Sequence, residues 1–338
     1  MRVCQITGPR QVEIVDRPDP EPRAGHVVIA VRSASLCGTD VHQYDARLPV
    51  EYPRIPGHDC SGIVSAVAPD VATVDVGDRV AVKPSFPCLD CRACTHAQFS
   101  DCANKRLIGL WSDGCLAESL LVPASNVAVL PASVGFDAAA NLEPFTVAIN
   151  TQRRLGLAMG EWVVILGQGP IGLGQTRIAV LAGARVVAVD PRPEARDLAR
   201  AYGAEVTVDP DADDVTTAVH ALTNGDGAAA VIETAGVAAT VELMPSLVRK
   251  YGQLANVGIA AGIGSLDVAT VVARGLTVHG IGGNGGKGQY EAAIALIEAA
   301  RIDPAALVTH TFGLADAAQA FSLAHNKTEP VIKVVLHP

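Results

Sequence analysis

Cysteine recurs at every third position in Cys88-Leu89-Asp90-Cys91-Arg92-Ala93-Cys94 and returns at Cys102. Four thiolates can close a tetrahedral shell around one Zn²⁺, and a shell without an open position is structural rather than catalytic. Spacings this short suit a metal better than disulfides, because one loop can wrap one ion. The same residues admit two other readings: an iron site held by four thiolates, or a set of unrelated buried or reactive cysteines. A second group lies upstream, in Cys37-Gly38-Thr39-Asp40-Val41-His42 and Pro56-Gly57-His58-Asp59. A thiolate and an imidazole together suit zinc, although a lone Cys or His is more often a core or surface residue. Cys4, Cys60 and Cys115 fall in no ligand pattern and read as small packed hydrophobes.

Gly167-Gln168-Gly169-Pro170-Ile171-Gly172 is a G-x-G-x-x-G motif. Its context matters more than its glycines, because a strand-like run precedes it and a helical pattern follows, as a dinucleotide fingerprint requires. The first glycine allows the tight turn, the second lets a pyrophosphate approach the backbone, and the third allows close helix–strand packing. The helix N-terminus offers free N–H groups to the phosphates. Asp190 ends the next strand-like run, where its carboxylate can accept hydrogen bonds from ribose hydroxyls and repel a 2′-phosphate. Asp190-Pro191 is also an ordinary turn sequence. Arg192 and Arg196 follow. Nearby arginines can accommodate a 2′-phosphate, and Arg196 can equally lie along the ribose or on a solvated helix face.

These residues need elements to hold them, and the chain shows two textures. From residue 1 to about residue 145, short β-type runs such as Val27–Val31, Gly62–Val64 and Arg79–Val82 are broken by Pro, Gly and Asp. They predict a β-rich, barrel-like unit. Beyond it, strand-like Trp162–Leu166, Arg185–Val189, Ala230–Ile232 and Leu254–Val257 alternate with helical patterns, predicting βαβ units on a parallel sheet. Tyr290–Ala300 predicts an amphipathic helix and Val331–Leu336 a closing strand. The 338 residues suffice for about two domains. A hydrophobic content of 49% excludes global disorder. Lys and Arg number 26 against 35 Asp and Glu, and the net charge of −9 argues against a nucleic-acid protein. The opening residues lack a signal-peptide pattern, no apolar run reaches membrane-spanning length, and metal-binding thiols fit a reducing compartment. The expectation is a soluble cytoplasmic protein with no membrane or nucleic-acid partner.

Cys37, His58, the four-cysteine loop, the glycine motif and Asp190 occur in an order that resembles the medium-chain, zinc-dependent alcohol dehydrogenases. The resemblance extends to the Ile332-Lys333-Val334-Val335-Leu336 ending, and the nearest branch looks like the polyol (sorbitol) and threonine dehydrogenases. It implies an α/β fold with a β-rich GroES-like catalytic domain, residues 1–146 and 287–338. The remaining residues, 147–286, would form a Rossmann domain with a doubly wound parallel sheet. It implies two zinc ions per chain and NAD, the latter held by Gly167, Gly169, Pro170, Ile171, Gly172, Asp190 and Arg196. Cys88, Cys91, Cys94 and Cys102 would hold the structural zinc. Cys37 and His58 would be ligands of the catalytic zinc, and Glu143 would bind that ion or its water. Asp59, one methylene shorter than the family's usual Glu, would act from behind the ligands. Thr39 would take the substrate proton and His42 would deliver it to solvent. The implied reaction moves a hydride between a secondary alcohol or polyol and NAD. Two alternatives stand beside it: an L-threonine 3-dehydrogenase, and a catalytically silent NAD-binding sensor or scaffold that keeps only the structural zinc. The resemblance also implies a homodimer or homotetramer, paired through the strand Leu276–Ile281 at the sheet edge.

Overall fold

A computed structural model of the protein divides the chain into two compact units, Met1–Glu143 with Gly286–Pro338, and Pro144–Gly285. The structure describes residues 1–96, 102–259, 264–283 and 288–338. The junction expected at 286–287 lies outside them.

The first unit is built on the strand His26–Ser35, whose Val27, Val28, Ile29 and Val31 suit a pleat buried on both faces. This strand pairs antiparallel with Asp59–Val67, with Ser119–Pro123 and with the closing strand Lys333–His337. The sheet has seven strands and also takes in Arg79–Val82, Val127–Val129 and Val308–Gly313. Register shifts between Val28 and Ile29, and between Val31 and Ser33, interrupt the ladder. Such bulges bend a strand and increase its twist, as a curled sheet requires. Ile29, Val64, Val80, Leu120, Val122, Val334 and Phe321 meet in the core. The pairing of Val335 with Ser35 and Leu336 with Ala34 carries the end of the chain to the residues just before Cys37.

The second unit holds a six-stranded, all-parallel sheet. Its order is Val206–Val208, Arg185–Val189, Trp162–Leu166, Ala228–Glu233, Val248–Asn256, Thr277–Gly280. Numbered within the unit, this is 3-2-1-4-5-6, the order that binds dinucleotides where the winding reverses. Val163, Val164 and Ile165 are fully buried, as expected of a strand covered on both faces. The reversal falls beside Gly167, whose carbonyl, like that of Leu166, accepts from the Thr234 hydroxyl. The helix Pro170–Leu181 follows, with Gly169 as N-cap and Pro170 in its first turn. A Cβ on Gly172 would lie 1.9 Å from the Gly167 carbonyl oxygen, so the turn closes only with hydrogen there.

A comparable approach occurs in the first unit, where Gly109 and Gly114 press against Gly57. A Cβ on Gly114 would lie 2.3 Å from both the Gly57 and the Pro56 carbonyl oxygens. Gly114→Ala should therefore destabilise this unit by about 1–3 kcal/mol, the usual cost of overpacking. Urea unfolding followed by tryptophan fluorescence reads this, and an unchanged midpoint would mean that the two loops are not in contact.

Candidate functional site

The four-cysteine loop hangs between the two-residue strands Ser85–Phe86 and Arg106–Leu107, which pair antiparallel. The short helix Arg92–Thr95 begins at Cys91 and turns Cys94 back toward it. All four sulfurs lie within 4.8 Å of one another. Cys91–Cys94 and Cys88–Cys102 are 3.5 Å apart, and Cys88–Cys94 are 3.9 Å apart. Zn–S bonds of about 2.3 Å at tetrahedral angles place sulfurs about 3.8 Å apart, so this spacing fits one zinc ion. All four cysteines are free of disulfides. The Cys94 backbone N–H lowers the Cys91 thiol to about 6, while burial pushes Cys94 up to about 12.

The second group is assembled by three stretches of chain. Cys37 is the N-cap of the helix Gly38–Tyr44, and His58 immediately precedes the strand Asp59–Val67. Asp40 joins the two: one carboxylate oxygen accepts the Cys37 N–H and the other the Gly57 N–H, both at 2.9 Å. Asp40 is fully buried and lies 3.8 Å from His58 Nδ1. The third stretch is the closing strand. Its buried Lys333 donates from Nζ to the Leu36 carbonyl at 3.2 Å and to Asp59 Oδ2 at 3.0 Å.

Ligand atoms of Cys37, His58 and Asp59 all lie within 4.8 Å of one another. Asp59 Oδ1 and His58 Nδ1 are buried without a hydrogen-bond partner. Burial disfavours charge on His58, but the negative charges of Asp59, Cys37 and Asp40 outweigh it and hold its pKa well above the usual imidazole range. Several anionic groups around one buried imidazole, with an unpartnered carboxylate oxygen, make a donor set that fits a divalent cation. The two carboxylates expected at this site are placed differently. Asp59 enters the group with Cys37 and His58, because Lys333 holds its other oxygen and leaves Oδ1 toward them. Glu143, at the start of the helix Glu143–Leu155, is not among the clustered ligand atoms. Burial and the Asp59 charge push its carboxyl up to about 7, against the pull of His58 and Lys333.

Thr39 Oγ1 lies 4.0 Å from Cys37 Sγ. His42 sits one turn further along the same helix. Its Nδ1 is buried without a partner, and burial lowers its pKa. Lys333 and Asp40 carry functions that the sequence reading left unassigned. A lone lysine within the apolar run Val331–Leu336 was the available signal for the first, and an acid between Cys37 and His42 for the second.

In the second unit, Gly167, Gly169, Pro170, Ile171 and Gly172 form the strand-to-helix turn. A Cβ on Gly169 would project into open space at the helix N-terminus, where a side chain would fill the room that a pyrophosphate needs. Asp190 Oδ2 accepts the Gln168 N–H at 2.7 Å, which ties this loop to the next strand end. Arg196, read as lying either along the ribose or on a solvated helix face, bonds to its own chain. Its guanidinium donates to the carbonyls of Asp190 and Pro191, both at 2.7 Å, and pairs with Asp209 at 3.0 Å. The arginine at the Asp190 carboxylate is Arg192.

Residues 23–132 match the family model described as an alcohol dehydrogenase GroES-like domain, and residues 170–299 match that of a zinc-binding dehydrogenase. The chain belongs to the zinc-dependent, medium-chain alcohol dehydrogenases. An L-threonine 3-dehydrogenase of Pyrococcus abyssi is 32% identical over 95% of this chain and 94% of its own length. The crystal structure of galactitol-1-phosphate dehydrogenase from Escherichia coli superposes with a TM-score of 0.92 at 30% identity, covering 100% of both chains. That of a zinc-binding dehydrogenase from Sinorhizobium meliloti, bound to NADP, superposes with a TM-score of 0.91 at 28% identity. It covers 100% of this chain and 99% of that one.

Within this dehydrogenase family frame, two zinc ions per chain are expected, and chelation should remove the ion at Cys37–His58 first because that group does not close its own shell. Cys37→Ser and His58→Ala should lose that ion. Asp59→Asn should weaken its binding by more than the roughly 10–100-fold usual for a residue behind the ligands, and Glu143→Gln by less. Zinc content after dialysis against a chelator measures each. Full retention in Asp59→Asn alongside loss in Glu143→Gln would return the ligand role to Glu143.

Proposed function

We propose that this chain is an NAD-dependent dehydrogenase of secondary alcohols or polyols. The observation that carries this reading is the buried Cys37–His58–Asp59 group, in a chain whose other unit presents the Gly167–Gly172 turn with Asp190 at its rim. A zinc ion held by Cys37, His58 and a carboxylate would supply Lewis acidity that lowers a hydroxyl pKa, and the dinucleotide would supply the hydride acceptor.

The residues of the chain do the rest. Asp40 fixes the Cys37 and Gly57 backbones through two hydrogen bonds, so the thiolate and imidazole keep their separation. Lys333 balances the negative charge of Asp59 and orients it. As the alcohol carbon loses hydride, its hydroxyl proton must leave by another route. Thr39, beside Cys37, would accept it, and the imidazole of His42, further along the same helix, would pass it to water. Asp190 favours NAD over NADP because a 2′-phosphate beside a carboxylate is repelled.

The threonine dehydrogenase of Pyrococcus abyssi supports a second reading, oxidation of an amino alcohol. Both readings oxidise a secondary carbinol and differ in whether the site also recognises an ammonium and a carboxylate. A panel of polyols, cyclitols, secondary alcohols and L-threonine, assayed by NADH formation with zinc-loaded protein, separates them. Polyol turnover with silent threonine supports the first, and the converse supports the second. Silence toward every alcohol would favour a sensor or scaffold.

The same reading includes a homo-oligomer, dimer or tetramer, joined through the sheet edge. Thr277–Gly280 is the last strand of its sheet, Val278 is exposed, and the neighbouring helix Val268–Arg274 buries none of its residues although Val268 and Val272 are apolar. An unpaired apolar edge invites pairing with a second copy. Val278→Lys should shift the protein toward monomer in light scattering. A wild-type monomer at micromolar concentration would remove the proposal.

A further inference from the structure

We propose that Glu233 is a positioning residue for the nicotinamide half of the dinucleotide. The inference rests on the reading of Gly167–Gly172 as a dinucleotide turn. A sheet of this strand order has two mononucleotide-binding halves. Asp190 follows the second strand and marks the adenosine half, which leaves the fourth, fifth and sixth strands to the nicotinamide half. Glu233 is the last residue of the fourth strand, Ala228–Glu233, and is fully buried. Its backbone carbonyl accepts the Val257 N–H at 2.9 Å and the Gly258 N–H at 3.0 Å, just past the fifth strand. Its side-chain Oε1 accepts the Gly236 N–H at 2.8 Å and the Thr240 hydroxyl at 2.7 Å. One residue therefore ties together the loops that leave two neighbouring strands.

The helix Ala238–Leu247 has Val237 as its N-cap, a residue without a side-chain acceptor, and Glu233 supplies the acceptor from the strand end. Stability alone would be served more simply by a polar residue at the cap. Burying the acid instead leaves Oε2 without a partner, which is costly. What the arrangement achieves is a close approach of the two loops. A Cβ on Gly258 would lie 2.6 Å from both Glu233 Oε2 and the Gly236 nitrogen, and one on Gly236 would lie 2.9 Å from the Ile259 carbonyl oxygen. The loops meet backbone to backbone above the buried carboxylate. Each carries one exposed apolar side chain, Val237 on the first and Ile259 on the second. Ligands of such sheets bind outside the carboxyl ends of the strands, and two apolar side chains held at a fixed separation there suit the face of a planar ring. Glu233 itself is covered, so it acts through these loops.

The test is calorimetry on the full, zinc-loaded chain with NAD⁺ and with ADP-ribose, which lacks the nicotinamide and keeps the rest. Glu233→Leu should weaken NAD⁺ binding by about tenfold, the effect of losing two hydrogen bonds to the loop, and leave ADP-ribose binding unchanged. Glu233→Gln keeps an oxygen that accepts from Gly236 and Thr240 and should restore most of the NAD⁺ affinity. Thr240→Val removes one of the two donors without touching the buried acid. It should weaken NAD⁺ selectively, and it carries the test if the leucine variant does not fold. A purely structural role would lower thermal stability and weaken both ligands alike. Equal losses for the two ligands, or undiminished NAD⁺ binding in the folded variants, overturn the proposal while leaving the NAD reading intact. A wild type that binds neither ligand sinks both.

Discussion

The ion pair of Lys333 with Asp59 is the interaction around which the β-rich unit is organised. Both side chains are 3% exposed, and neither charge would be tolerated there alone. Removing one partner of such a pair usually costs about 3–5 kcal/mol, because the other is left buried and uncompensated. The same ammonium holds the Leu36 carbonyl, next to Cys37. One cation therefore joins the loop carrying the thiolate, the strand following the imidazole and the closing strand of the sheet. Asp40 repeats the arrangement with opposite sign, as a buried anion held by two backbone N–H groups. Between them, these charges hold Cys37, His58 and Asp59 in place, which is the support that a metal site needs from the groups behind its ligands.

What could be read from the sequence was what is local. The four-cysteine loop spans few residues, so its spacing alone pointed to a shared ion. The glycine turn was equally legible, because its strand, turn and helix are consecutive, and its three glycines answer three steric demands met within the same segment. The alternation of strand and helix gave the parallel sheet. Cys37 and His58 were singled out only through resemblance, since two residues so far apart in the chain carry no spacing rule of their own.

The residues left unassigned depend on partners that sequence does not place. Lys333 lies 274 positions from Asp59, and only the pairing of the closing strand with His26–Ser35 brings them together. Without Lys333 nothing indicated which oxygen of Asp59 would be left toward Cys37 and His58. Arg192 and Arg196 are both near Asp190 in sequence. The start of the helix at Pro193 separates them, leaving one beside the carboxylate and turning the other onto backbone carbonyls and Asp209.

The position of Lys333 also imposes an order in time. During synthesis the four cysteines leave the ribosome close together and can capture an ion while most of the chain is unmade. Cys37 and His58 emerge earlier still, but the cation that orients Asp59 belongs to the last strand. The β-rich unit cannot close its seven-stranded sheet until that strand is released, after the whole parallel-sheet unit has been made. The nascent chain can therefore hold every cysteine of the β-rich unit and still lack the cation that pairs with Asp59, so a chain truncated before Lys333 would leave the buried carboxylate uncompensated.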